Sequence, residues 1–320
     1  MQLVIDTNGV SIRVRNGSFL VMGKAGKRMI SPKLIEGIMV FADCLISSSA
    51  IRLAISERIP MMFFDDFGGA AGRVWSAEFD RLPQVRRNQV LFERDRVAAA
   101  GWAAGLYGLK AAGQVSNVEA YEKSHRCIAP MCALLPHFAA DRWLQVDAFE
   151  AKVMLLEAQV ARHYWDAVSE LVPKRYAFEK RTRQPAQDMF NAALNYLYGM
   201  LYNTVEGAVF AAGLDPFLGI VHADEYNKPT LVFDLMEPFR AWVDRMLIEL
   251  CRSEQLASGH FEQVEKGMWL HKEGRRMLIP AYVALMNSEM EWQDRRMSVK
   301  GHIFQFIGEF SSTIEHYQPK

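Results

Sequence analysis

The chain has little cysteine and no net charge. Four of its 320 residues are cysteines, Cys44, Cys127, Cys132 and Cys251, and no two form a Cys-x-x-Cys pair. Neither a zinc ribbon nor a disulfide scaffold is supported, and a reducing cytoplasm is the expected compartment. Thirty-seven Lys and Arg balance thirty-seven Asp and Glu. Any surface for nucleic acid must therefore come from local segregation of charge, not from a global basic field. The opening MQLVIDTNGV lacks a basic stretch followed by an apolar one and does not read as a signal peptide. The fifteen residues from Asn191 to Val205 carry no charge, but three Asn and three Tyr interrupt them. They also fall short of the ~20 apolar residues that span a bilayer. GxxxxGK[ST], GxGxxG and GxSxG are all missing, so P-loop, dinucleotide-binding and hydrolase readings lack their signatures.

Half of the residues are apolar, 23% are charged and 11% are aromatic, the composition of a folded globular protein. The length suggests about two domains. Residues 1–75 read as β-rich. Val10 to Arg15 alternates apolar and polar, Asn16-Gly17 is a hairpin turn, and Ser18 to Met22 returns. Leu34 to Phe41 and Ile59 to Phe64 read as buried strands around a short, Ser-capped helix at Ser48 to Arg58. Beyond Glu78 apolar residues recur at three and four spacing. Helices are expected over Asn88–Ala112, over Tyr121–His137 with a break at Pro130, over Val146–Leu171 and over Gln187–Gly213. A further helix lies within Pro229–Cys251, and helices continue to Tyr317. The fold class is α+β: a small N-terminal β-sandwich-like domain, 1–75, followed by a larger all-α domain, 76–320.

Charge is locally uneven. Lys174, Arg175, Lys180, Arg181 and Arg183 face Glu179 alone, with Tyr176 and Phe178 interleaved. The segment reads either as a solvated loop or as a phosphate contact with aromatics for an exposed base. Asn191 and Asn195 on the next helix join these cations as candidate DNA-contact residues.

One constellation could carry metal chemistry. Asp234 and Glu237 are three apart and share a helix face. His222 closes an apolar run, and Glu157 lies on a helix whose Val153, Leu156, Val160 and Tyr164 share an apolar face. Carboxylates with one imidazole suit Mg²⁺ or Mn²⁺. Each residue also has a plain structural reading. Asp234 to Glu237 fits a capping box, His222 fits a satisfied core histidine, and Glu157 could pair with Lys152 or Arg162. Glu150 is as good an acid as Glu157 by spacing. Glu122-Lys123-Ser124-His125 is a single ExxH, whereas a di-iron bundle needs two.

Taken together, these residues resemble the CRISPR-associated integrase family, the universal adaptation nucleases of CRISPR immunity. Four stretches carry the resemblance. They are Ile30 to Phe41 with Ile46-Ser47 and Ala50 to Arg52; Ile59-Pro60 with the Gly-rich Phe63 to Val74; Glu157-x-x-x-Ala161-Arg162-x-Tyr164-Trp165; and Asn191 to Tyr198 through Ala212 to Gly219 and His222 to Asp234-Leu235-Met236-Glu237-Pro238-Phe239-Arg240. The resemblance spans essentially the whole chain. It implies a metal site of Glu157, His222 and Glu237, with Asp234 as the neighbouring acid, and so selects Glu157 over Glu150. The family usually has Gly after this Glu, where the chain has Ala158.

The implied reaction is insertion of a short prespacer DNA into a CRISPR leader–repeat junction during antiviral defence. A DNA 3′-hydroxyl attacks a phosphodiester, and the same site cuts DNA as a Mg²⁺- or Mn²⁺-dependent endonuclease. The implied partners are double-stranded DNA, a second copy of the chain through the β domain, and a small ferredoxin-like adaptation protein; no membrane is implied. Rival readings are a non-catalytic DNA-binding scaffold of the same complex and a helical metalloenzyme acting on a small molecule.

Overall fold

The computed structural model describes every residue except 25, 66–69, 75–82, 122–124, 140–148, 184, 223–227, 266 and 320, and only the backbone of 70, 125 and 126. The chain divides into two units, Met1–Asp80 and Arg81–Lys320.

In the first unit, β1 (Gln2–Ile5), β2 (Val10–Arg15), β3 (Ser18–Gly23), β4 (Gly26–Ile30), β5 (Gly37–Val40), β6 (Cys44–Ile46), β7 (Met61–Phe64) and β8 (Ala70–Val74) form two four-stranded sheets. One has the order β1-β5-β7-β8 and the other β4-β3-β2-β6. Asn16 and Gly17 take positive φ of 49° and 70°, the turn conformation that suits the right-handed twist of a hairpin. This turn sets Arg15 opposite Ser18 and Ile12 opposite Val21, so the alternation of β2 buries Ile12 completely. Leu3, Ile5, Ile12, Phe19, Ile38 and Met61 share one core. The Ser47 hydroxyl caps α1 (Ser48–Ser56) by accepting from the Ala50 N–H at 3.2 Å, and Ala50 and Ala54 close the core. The strand expected from Leu34 starts only at Gly37, because Pro32–Leu34 forms a 3₁₀ turn. β4 and β6 go unrecognised in the sequence because neither alternates cleanly: Gly26 to Met29 are all exposed.

The second unit begins with α2 (Pro83–Arg94), α3 (Arg96–Glu119), α4 (His125–Leu134), α5 (Phe149–Leu171) and α6 (Met189–Ala211). It continues with α7 (Thr230–Met236), α8 (Arg240–Arg252), α9 (Lys272–Asn287) and α10 (Val299–Glu315). The single helix expected over Asn88–Ala112 is two, because the Asp95 carboxylate accepts from the Val97 and Ala98 N–H groups and starts a new helix there. The helix expected to break at Pro130 runs through it to Leu134. The expectation of an all-α second domain also needs correction. Two short hairpins interrupt the helices, β9 (Phe261–Val264) with β10 (Gly267–Leu270), and β11 (Glu289–Trp292) with β12 (Arg295–Ser298). Their strands are only four residues long, too short to read by period, and the second turns on Gln293-Asp294, both at positive φ, without a glycine. No helix among the described residues is long and apolar enough to cross a membrane.

α3 runs through the middle of this unit. Its Ala99, Ala100, Ala103, Ala104 and Ala111 are buried, and these small side chains let neighbouring helices come close. At Gly113 an added Cβ would lie 2.9 Å from the Ala241 Cβ of α8. Between Arg96 and Glu119 this helix carries a single charged residue, Lys110.

Candidate active site

The loop before α7 is the first part of the site. Gln89 of α2, almost fully buried, accepts from the Asp215 N–H at 2.9 Å and donates to the Asp215 and Leu218 carbonyls. Thr230 donates to the Phe217 carbonyl at 2.9 Å. At Gly219 a Cβ would sit 2.7 Å from Thr230 and 2.8 Å from the His222 carbonyl, so only glycine lets the loop lie this close to α7. These contacts hold residues 220–222 over Asp234, which is 0% exposed.

Asp234 uses both of its oxygens there. Oδ2 accepts from the Ile220 and Val221 N–H groups at 2.7 and 3.1 Å. Oδ1 accepts from the His222 N–H at 3.2 Å and pairs with His222 Nδ1 at 2.6 Å. A carboxylate has about four acceptor sites, and all are taken. Asp234 thus spends its acceptor sites on His222 and the 220–222 backbone, which gives it a positioning part beside the metal set to which the resemblance assigns it. The capping-box reading fails as well, since Pro229, not Asp234, sits at the start of α7. Because an ionised Asp can only accept, the ring proton of His222 belongs on Nδ1. Nε2 is left with its lone pair and no hydrogen-bond partner among the described residues.

Glu157 and Glu237 meet from different helices. Lys110 Nζ lies 2.5 Å from Glu157 Oε1 and 2.6 Å from Glu237 Oε2. Arg240 Nε is 3.0 Å from Glu237 Oε1. The two contacts to Glu237 are ion pairs without aligned hydrogen-bond geometry, so its buried Oε2 is left without a hydrogen bond. Burial works to raise the Glu237 pKa, but the Arg240 and Lys110 charges outweigh it and hold the carboxyl at about 2. Burial likewise works against the Lys110 ammonium, and Glu237 and Glu157 outweigh it and raise its pKa. Tyr107, one turn before Lys110, is raised by burial and then by the charges of Glu237, Asp234 and Glu157 together. All three acids therefore lie near the middle of α3, around Tyr107 and Lys110. Glu150 is elsewhere, paired with Arg96.

Among the described residues no three His, Cys, Asp or Glu side chains gather into a ready-made metal set. The donor chemistry nevertheless fits a hard divalent cation. Two carboxylates already share one cationic position, and the His222 Nε2 makes no hydrogen bond among the described residues. Residues 122–124 of the ExxH lie outside the described residues.

Behind Glu237 the polar groups form a continuous network. The Arg240 guanidinium stacks 4.5 Å over the Tyr198 ring, with Arg181 5.5 Å from the same ring. Tyr198 and Tyr164 donate to the two oxygens of Asp244 at 2.6 and 3.0 Å. Burial pushes Asp244 up to about 6, and the two tyrosine hydroxyls and two guanidiniums only partly offset it. Because the folded pKa lies above the ordinary 3.8, ionising Asp244 costs stability as pH rises through this interval, and the cost is complete above about 6. Asp244→Asn removes a penalty of up to about 3 kcal/mol. The melting temperature of the variant relative to the parent should thus be higher at about pH 7.5 than at about pH 4.5. A pH-independent difference would assign Asp244 an ordinary pKa.

The basic segment divides. Lys174, Arg175, Lys180 and Arg183 are exposed. Arg181 instead binds Asn191 Oδ1 at 2.7 Å and Asn195 Oδ1 at 2.6 Å. Asn191 is fully buried, its amide donating to the Lys180 carbonyl and to Asp188, so it cannot touch DNA. Asn195 donates to the Thr182 and Arg183 carbonyls. Tyr176 and Phe178 are also buried. The expected contact set is therefore corrected: the aromatics and amides anchor the segment, and four cations remain on its surface.

The comparisons with known proteins agree over most of the chain. The family described as CRISPR associated protein Cas1 matches residues 3–284. The CRISPR-associated endonuclease Cas1 1 of Archaeoglobus fulgidus is 29% identical over 93% of this chain and 92% of its own. In three dimensions, TM1797, a CAS1 protein from Thermotoga maritima, superposes with a TM-score of 0.81 at 18% identity, covering 99% and 98% of the two chains. A casposase bound to integration product also gives 0.81, at 22% identity over 100% and 92%. Chains with TM-scores of 0.78 and 0.61 occur in structures described as a Cas6-RT-Cas1–Cas2 complex and a TtCas1–DNA complex. With His222 seated on Asp234 and two acids from separate helices sharing one cationic position, and with the family matched over most of its length, the chain belongs to the Cas1 family of CRISPR-associated proteins.

Proposed function

We propose that this chain is a Mg²⁺- or Mn²⁺-dependent DNA endonuclease and integrase that inserts short foreign DNA fragments into a CRISPR array. The observation that carries the reading is the meeting of Glu157 and Glu237 at one cationic position, with His222 Nε2 left as a lone-pair donor. Glu157, Glu237 and His222 would hold the ion. When bound, it would supply positive charge against phosphodiester oxygens and acidify the attacking hydroxyl. Asp234 fixes the His222 tautomer and keeps the 220–222 backbone in place. Arg240 neutralises the far oxygen of Glu237. In the reaction a DNA 3′-hydroxyl forms a new bond to phosphorus, its proton passes to solvent, and the displaced strand leaves as a hydroxyl. A casposase of the same fold bound to integration product supports that chemistry.

The exposed Lys174, Arg175, Lys180 and Arg183 supply phosphate contacts. Lys180→Ala with Arg183→Ala should weaken binding to all duplexes alike and lower the log–log salt slope by about 0.9 per lost contact. An unchanged slope would return these residues to the solvated surface. Arg181→Ala should act differently, lowering the melting temperature because Asn191 and Asn195 lose their partner. We also place a second copy of the chain, through the β unit, and a small ferredoxin-like protein in the working assembly, in the cytoplasm. The occurrence of this fold in a Cas1–Cas2 complex supports that arrangement.

The test is cleavage and strand joining on branched DNA against Mn²⁺ and Mg²⁺ concentration, with a chelator control. Metal-dependent products are expected. DNA binding without products at any metal concentration would favour the scaffold, and products in the chelator would remove the metal.

A further inference from the structure

Lys110 is placed where no purely structural requirement puts a cation. It is the only charged side chain between Arg96 and Glu119 of α3, and its side chain is 10% exposed. Burying an ammonium is costly unless partners compensate, and here both partners belong to the proposed ligand set. An ammonium held by two carboxylates and a divalent ion held by the same two carboxylates cannot coexist at one position, because like charges at that separation repel strongly away from bulk water. The ammonium sits on a long flexible stem, so it can leave the carboxylates without moving the helix. Once displaced it needs a new counter-charge, since the Arg240 guanidinium also borders this pocket of charge. A DNA phosphate brought to the site supplies one.

We propose that Lys110 is the resident cation of this site: it holds Glu157 and Glu237 together before metal binds, is displaced when a divalent ion takes the two carboxylates, and then pairs with a DNA phosphate. The inference rests on the metal-dependent reading above and adds a coupling to it. Metal and DNA each favour the other, because each removes a cost the other would meet alone. By linkage the enhancement is the same from either side. The device keeps the carboxylates paired when no DNA is bound and favours loading the ion where a phosphate is present.

The experiment is a calorimetric Mn²⁺ titration of the full chain, alone and with a branched DNA duplex, on the parent and on Lys110→Met and Lys110→Arg. For the parent, DNA should raise the Mn²⁺ affinity about tenfold or more. Lys110→Met, whose stem has similar length without the charge, should bind Mn²⁺ about tenfold more tightly than the parent in the absence of DNA, and DNA should then raise its affinity by a smaller factor than in the parent, the remainder being the direct attraction between the ion and the phosphodiester oxygens. Lys110→Arg should keep the coupling. An unchanged parent affinity with and without DNA overturns the proposal whatever the variants do, which covers the case of a Lys110→Met protein that fails to fold. A folded Lys110→Met protein with the parent's affinity and the parent's DNA enhancement overturns it as well. If the parent binds no Mn²⁺ under either condition, the metal-dependent reading itself fails, a result distinct from binding without coupling.

Discussion

A folded His222→Ala protein is expected to lose Mn²⁺- and Mg²⁺-dependent DNA cleavage and strand joining by more than about 100-fold, beyond the 10–100-fold typical of residues that only support a metal ligand. The imidazole leaves Nε2 as the one nitrogen donor in the set, since Nδ1 is committed to Asp234. Removing it takes away a proposed ligand and also one of the four contacts that Asp234 makes. Folding should survive. The His222 side chain is 30% exposed, and its backbone N–H still donates to Asp234 in the variant. The melting temperature measured beside activity separates the two effects. Full activity in a folded His222→Ala protein would remove this residue from the reaction.

Asp234→Asn should damage the protein more broadly. The family resemblance makes Asp234 only the acid neighbouring Glu237 and suggests a milder effect. The structure reverses that expectation. The Asp234 carboxylate accepts three backbone N–H groups and the His222 ring in a site closed to solvent. Asparagine offers one oxygen and turns an amide NH₂ toward groups that also donate. About two charge-assisted hydrogen bonds disappear, roughly 3 kcal/mol or more, and the His222 tautomer is no longer enforced. The expected result is a fall in melting temperature together with a loss of metal-dependent activity. A variant with the parent's melting temperature and a normal metal midpoint would show that the loop is held by Gln89 and Thr230 alone.

Glu237 differs in a measurable way. Its carboxyl is held at about 2, below the ordinary 4.5. The stabilisation it carries is therefore present above about pH 4.5 and is lost as pH falls toward 2. That is the opposite sign to Asp244, and the two neighbouring acids of one network should be separable by pH alone.

What the sequence by itself determined is whatever repeats locally or is spelled in one stretch. The alternation at Val10 to Arg15 and the Asn16-Gly17 turn specify a hairpin, because strand faces and turn dihedrals are set within a few residues. The three-and-four spacing after Glu78 specifies helices, and the ordered motifs from Asn191 to Arg240 specify the family. Four-residue strands escape that logic, so both hairpins of the second unit went unread. Nothing local singles out Lys110, whose two carboxylate partners come from other helices.

Tertiary structure alone decided which neighbour each charged group has. Asp234 and Glu237 are equivalent by spacing, yet one lies under the 220–222 loop and the other beside Lys110 and Arg240. Arg181 and Arg183 are equivalent as basic residues, yet one is locked to Asn191 and Asn195 and the other is free on the surface. The physical reason is that hydrogen bonds and ion pairs act over a few ångströms. A carboxylate's role therefore depends on residues far away in the chain that packing brings to it, and no local pattern encodes that distance.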